Sequence, residues 1–231
     1  MQQLAADIWI EEGPSVPFLG LPFSTRMTVV RLANDKLWVH SPIELNDSIR
    51  AELANLGELS YLIAPNHLHH LFIGDWLKAY PKAQAYGTDE LIKKRSDIRF
   101  TASLNTAQDW PWAEQIDQLL FSGSALMQEC VFFHRPSATL VLTDLVENFA
   151  PSHFNFWQRS VAKLVGIVAP NGKTPLDWRL SFFFHKAEAA KHFTQMLAWQ
   201  PQKVVMAHGL VIEQDAVAFL SRSFSWLNKH A

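Results

Sequence analysis

The chain predicts an α/β layered fold, and three observations carry that prediction. The first part opens with segments rich in Val, Ile, Thr and Trp. A strand, helix, strand, helix succession follows from about Leu59. Three short apolar runs, "LSYLIAP", "ATLVLTD" and "KVVMAHG", have the length and composition of buried strands. With 231 residues, 48% apolar and only 18% charged, the chain is too apolar for disorder and large enough to bury a substantial core. We expect one domain over residues 1–231, since no linker or internal repeat divides it.

Each element has its own justification. "DIWIEEG", "TRMTVVRLAN" and "KLWVHSPI" read as antiparallel strands, with "NDK" as the turn between the last two. "LNDSIRAELANL" has helical apolar spacing, and Asn46 or Asp47 can cap its start. After the strand closed by Pro65, "LFIGDWLKAY" resumes helical spacing and stops before Pro81. "KAQAYGT" is a strand and "DELIKKR" a short helix with acidic groups in its first turn. In the second half, "FTASLN", "IDQLLFSG", "ECVFFHRP" and "ATLVLTD" are strands, with "RPSA" as a tight turn. Residues 148–169 form an aromatic amphipathic stretch, expected as a helix packed on the sheet rather than as a lipid or partner surface, and the aromatic-rich region from Asn148 to Trp178 is expected to cover the cleft. "GKTPLDW" reads as a loop, Lys186 to Trp199 as a helix, and "KVVMAHG" as the last buried strand.

Composition narrows the function. A net charge of -2 without a basic block leaves no electrostatic footprint for nucleic acid or an acidic membrane. The N-terminus lacks the charged and apolar regions of a signal peptide, and no apolar run is long enough for a membrane span. The single Cys130, set in "ECVFFH", is expected to be a buried thiol, so we expect a cytoplasmic protein, monomer or homodimer, acting on a small molecule. Neither GxGxxG nor a P-loop occurs, which removes the usual nucleotide signatures.

Histidines supply the candidate chemistry. His67, His69 and His70 fall within four positions after one apolar run, Asp144 closes a second, and His208 closes a third. Imidazole nitrogens with a carboxylate oxygen at converging strand ends suit Zn²⁺, Mn²⁺ or Fe²⁺. Each residue also has a plainer role available: His69 and His70 as helix caps or solvated groups, Asp144 as an N-cap for "LVENF", His208 as a turn residue.

"APNHLHHLF", "FFHRPSATLVLTD" and "AHG", taken in this order, resemble the metallo-β-lactamase superfamily, in an uncharacterised divergent branch. The superfamily's His-x-His-x-Asp-His motif aligns on Pro65-Asn66-His67-Leu68-His69-His70, and the likeness of element order runs from about Thr28 to Gly209. The resemblance implies a four-layer αββα sandwich and a metal-dependent hydrolase. It also implies a departure: Pro65 offers no ligand atom where the motif has its first His, and "SGSALMQE" lacks the His expected before Asp144 unless Glu129 or His134 replaces it. One divalent metal is therefore expected, with Zn first and Mn or Fe as alternatives, held by His69, His70, Asp144 and His208. His67 is the expected proton-transfer group for hydrolysis of an ester, lactone, thioester or phosphodiester; the alternative is a catalytically inactive binding or scaffold protein. Four ligands would close a tetrahedron, so catalysis requires that one of them lie outside the coordination shell or that the ion accept more ligands. His40 is placed near the same cleft, His134 at a turn, and His153, His185, His192 and His230 are read as ordinary polar residues. Arg135 and Arg179 are open to either an anionic substrate or a surface salt bridge.

Overall fold

Alternation of side chains along the strands builds two sheets with three apolar interfaces. The computed structural model describes residues 1–18 and 21–227, so His230 lies outside the described residues. The first sheet is ordered β1 (Gln2–Ala5), β2 (Ile8–Phe18), β3 (Leu21–Arg31), β4 (Lys36–His40), β5 (Glu58–Ala64), β6 (Gln84–Gly87) and β7 (Ala102–Ser103). Its opening four strands pair antiparallel, as the short turns between them require, and β4 to β7 pair parallel. The parallel connections are made by α1 (Asp47–Leu56), α2 (Ile73–Ala79) and α3 (Asp89–Lys94). Asn46 caps α1 by accepting the Ile49 N–H at 2.9 Å.

The second sheet contains β8 (Ile116–Phe121), β9 (Glu129–His134), β10 (Thr139–Val141) and β11 (Lys203–Val205), in spatial order β11-β10-β9-β8. Between β10 and β11, which pair parallel, run α4 (Phe156–Val165), α5 (Leu176–Ser181) and α6 (Lys186–Ala198), and α7 (Ala216–Ser223) follows β11.

Strand periodicity assigns the layers. In β4, Leu37 and Val39 face the helices α1 to α3, whereas Trp38 faces the other sheet. In β9, Cys130 and Phe132 meet the first sheet and Val131 and Phe133 meet α5, α6 and α7. The buried Cys130 thiol is pushed well above its ordinary pKa by burial, so it is an inert packing group. Helices, sheet, sheet, helices is the four-layer αββα arrangement.

Four expectations require correction. Within residues 148–169 only α4 is α-helical; Phe149 and Val168 instead form an isolated parallel bridge, and Pro151–His153 is a 3₁₀ turn. α4 does not bury its aromatic face: Phe156, Trp157, Val161 and Leu164 are exposed, while Ala162 packs inward. The expected loop "GKTPLDW" leads into helix α5, started by Pro175. "FTASLN" yields only the two-residue strand β7. β1 and α7 are additional elements.

Candidate metal centre

The chemistry gathers where several strands end. β5 ends at Ala64 and runs through Pro65 into the histidine loop, whose path is fixed across the sheets by the Cys130 N–H donating to the Pro65 carbonyl at 2.8 Å. β10 ends at Val141, three residues before Asp144. β11 ends at Val205, three residues before His208. The antiparallel pairing of β9 with β10 carries its first residue, Glu129, beyond the end of β10 at the same edge.

His69, Asp144 and His208 come together there, each offering one ligand atom with all three within 4.8 Å of one another. His208 Nε2 is 2.9 Å from Asp144 Oδ1 and 3.3 Å from His69 Nε2; His69 Nε2 is 3.2 Å from the Asp144 carboxylate. His208 Nδ1 faces the Ser24 carbonyl, which can only accept, so Nδ1 carries a proton and the lone pair of the neutral ring lies on Nε2. His69 is oriented likewise, its Nδ1 paired with the Ser41 hydroxyl.

Two imidazole lone pairs and a carboxylate oxygen facing one point repel unless a proton or a cation lies among them. In the metal-free protein a proton serves. Burial disfavours the charged His69 ring, but the charge of Asp144 and the hydrogen bond to it outweigh burial and raise its pKa. Burial likewise pushes the Asp144 carboxyl up, and the His69 charge, with His208 and His69 close to its oxygens, overcomes it, holding Asp144 well below the carboxylate range. The same two-nitrogen, one-oxygen set matches the ligands of a divalent transition ion.

A surrounding shell fixes these groups. Asn66 Nδ2 donates to Asp144 Oδ2 at 2.7 Å, and its Oδ1 accepts from the Leu68 and His69 backbone at 2.9 and 3.1 Å. Glu129, fully buried, accepts the backbone N–H groups of Thr143, Asp144 and Leu145 at 2.8, 2.8 and 3.1 Å. Burial, then the Asp144 charge, raises its carboxyl pKa to about 7. Arg26, reaching from β3, donates to the carbonyls of Met206 and Gly209 at 2.5 and 2.6 Å and so grips the loop on both sides of His208. The His208 ring is also packed edge-on by Phe23 and stacked by Phe149.

The remaining expected residues are placed differently. His70 does not join the three: its Nδ1 is 3.0 Å from Arg95 Nη1, and burial, then Lys94 and Arg95, lowers its pKa to about 4. Of the two adjacent histidines expected as ligands, His69 faces Asp144 while His70 turns to Arg95. His67 Nδ1 is 2.9 Å from Glu90 Oε2, and the ring is partly exposed. Glu129 spends its oxygens on the Asp144 loop, and His134, at the opposite end of β9, bonds Ser137 at 2.7 Å, so neither stands in the cluster as a third histidine would. His40 is buried on Trp38, its pKa lowered to about 3 by burial and then by the His69 charge. Arg135 pairs with Asp117, and Arg179 donates to the Val165 carbonyl at 3.0 Å. His153 bonds the Pro22 carbonyl, and His192 pairs with Glu188. A groove of about 860 Å³ lined by Lys78, Arg95, Asp97 and Arg99 lies outside the triad.

Residues 8–157 match the model of a family described as a domain of unknown function, DUF4336. The chain belongs to this family. No curated protein matches it. Among solved structures, DIM-1 metallo-β-lactamase superposes with a TM-score of 0.67 at 13% identity, over 100% of this chain and 97% of that one. A metallo-β-lactamase from Pontibacter korlensis gives 0.66 at 12%, over 98% and 97%. VMB-1 gives 0.67 at 9%, over 99% and 95%. At these identities the likeness establishes the fold: this DUF4336 member is a metallo-β-lactamase-type αββα sandwich carrying a candidate single metal site at His69, Asp144 and His208.

The surrounding shell of this family member was largely silent in its sequence. Arg26 sits within an ordinary strand pattern, and the Ser24 contact is a backbone carbonyl with no residue signature. Asn66 had one signal, a polar side chain between the strand-ending Pro65 and the histidines, which is where a loop-closing amide is useful.

Proposed function

We propose that this protein is a metal-dependent hydrolase with one metal ion, zinc first and manganese or iron as alternatives. The observation that carries the reading is the orientation of His208, whose Nδ1 is committed to the Ser24 carbonyl so that Nε2 faces Asp144 and His69 Nε2. Three protein ligands rather than four would leave a coordination position open, as catalytic sites require. A divalent ion held by His69, Asp144 and His208 would supply an acidified water and polarise an ester, lactone or thioester carbonyl or a phosphodiester.

The residues of the chain itself have distinct tasks in this reading. Asn66 and Glu129 hold Asp144 in place, one through its carboxylate and the other through its backbone. Arg26 and Ser24 fix His208. We assign proton transfer to His67: donation from its Nδ1 to Glu90 leaves the lone pair on Nε2, the state of a general base, on a ring accessible to solvent. His70 is left outside the ligand set.

Turnover of carboxyl-ester, lactone, thioester and phosphodiester probes by metal-loaded protein tests the reading. Activity should disappear with a chelator and in Asp144→Asn and His208→Ala, while His67→Ala should lower kcat with metal content unchanged. No turnover of any probe class by protein with a full metal complement would refute hydrolysis. One observation favours a second reading, a non-catalytic binding protein. The three side chains sit 2.9 and 3.2 Å from one another, close enough to satisfy each other through a shared proton without a metal. Metal-dependent hydrolysis abolished by His208→Ala would exclude it.

A further inference from the structure

Eight of the twelve exposed large apolar side chains among the described residues lie between Phe156 and Phe184. On α4, Phe156, Trp157, Val161 and Leu164 fall within an arc of about 140° at 100° per residue, and Ala162 packs inward on the other side. Leu176 and Leu180 of α5, with Phe183 and Phe184 just after it, form a second exposed apolar row. The two rows adjoin, because Arg179 of α5 donates to the Val165 carbonyl at the end of α4. Trp157 and Phe184 are 78% and 87% exposed, so they project from the surface.

Charge on this region differs from the rest. From Phe156 to Lys186 the basic residues are Arg159, Lys163, Lys173, Arg179 and Lys186, and the sole acid is Asp177. This segment carries +4 in a chain whose net charge is -2, which leaves -6 elsewhere. The whole-chain charge, which argued against an acidic membrane, conceals that asymmetry. None of the ion pairs among the described residues involves Lys163, Lys173 or Lys186.

We propose that α4, α5 and the Phe183–Phe184 pair form a docking face for an anionic phospholipid bilayer. Aromatic and leucine side chains enter the interface while the lysines meet headgroup phosphates. No helix of the described residues is long and apolar enough to cross a membrane, so the association is with the surface. A second copy is disfavoured as the occupant because a self-complementary contact through this face would set one +4 segment against another. The site at His208 lies close by: Phe149 stacks on both His208 and His153, and its ring also meets Phe154, two residues before α4 begins.

Sedimentation of the full chain with vesicles tests the proposal, comparing phosphatidylcholine alone with phosphatidylcholine mixed with phosphatidylglycerol. Partition should occur on the anionic vesicles, weaken as salt rises, and fall about fivefold for each of Lys163→Ala and Lys173→Ala. Trp157→Ser combined with Phe184→Ser should abolish it. The lysine variants keep the test decisive should the aromatic pair disturb folding. No partition above the vesicle-free control, or equal salt-insensitive partition on both vesicle types, would overturn the proposal. A dimer in sedimentation equilibrium that Trp157→Ser and Phe184→Ser convert to monomer, without vesicle partition, would overturn it in favour of a second copy.

Discussion

Asp144 depends on groups that contribute no ligand atom, and their removal separates support from coordination. Glu129 accepts three backbone N–H groups around Asp144, so Glu129→Gln places an amide N–H against donors. We expect a loss of about 2 kcal/mol or more in urea unfolding of the metal-free protein, together with weaker metal binding. Arg26→Met should preserve much of the buried volume but release the carbonyls of Met206 and Gly209. Metal affinity should fall roughly 10- to 100-fold, as loss of groups supporting metal ligands commonly does, and competition with a chromophoric chelator would measure it. The three coordinating candidates were legible because strand ends announce themselves in sequence. The support was not, since a backbone carbonyl such as that of Ser24 is independent of residue type, and Arg26 reaches across 180 positions to Met206.

His134 makes a pH prediction independent of the metal. Burial lowers its pKa to about 4, whereas in the unfolded chain it titrates near 6.5. Between those values the unfolded chain binds the extra proton, so the contribution of His134 to stability is level above about pH 6.5 and falls as pH drops toward about 4. His70, lowered to about 4 as well, contributes in the same window. Glu129 and His69, whose pKa values are raised, act in the opposite direction, so the test is a difference: urea midpoints of His134→Gln should fall less toward pH 4 than those of the unaltered protein, and an equal pH dependence would contradict the assignment.

Among the elements, the loop after β11 is tightly constrained. Gly209 has φ +89°, and a Cβ there would come within 2.3 Å of the Asn148 backbone. Gly209→Ala should therefore cost at least about 2 kcal/mol and shift His208, so thermal stability and metal affinity should fall together. Helices α1 and α2 were legible from apolar spacing, the Asn46 cap and Pro81. The stretch 148–169 misled because its aromatics suit a buried helix face equally well. The chain instead buries Phe149 and Phe154 through extended and 3₁₀ segments and turns Phe156 and Trp157 outward. Local periodicity identifies an apolar face; which side of it the rest of the molecule covers is a tertiary outcome.

Across the whole molecule, stability rests on the contact between sheets. Trp38 and Phe132 meet edge to face at 5.0 Å, and both are fully buried. Phe132→Ala should cost about 3–5 kcal/mol, lowering Tm by roughly 6–20 °C for a chain of this length, as calorimetry would report. The α/β layering was readable because continuous apolar runs such as "ATLVLTD" belong to strands covered on both faces, while the four-layer order came from the resemblance to the metallo-β-lactamase superfamily. The placement of the site at one edge follows from it, since loops from β5, β10 and β11 converge there.

The central claim is that three residues, and not His70, hold one metal. Elemental mass spectrometry of protein purified without added metal or chelator, beside His69→Ala, Asp144→Ala, His208→Ala and His70→Ala, tests it most directly. The account predicts about one divalent transition ion per chain, lost in the first three variants and retained in His70→Ala. Absence of metal from the unaltered protein, even after loading with Zn, Mn or Fe, or its loss in His70→Ala with the fold intact, would contradict it.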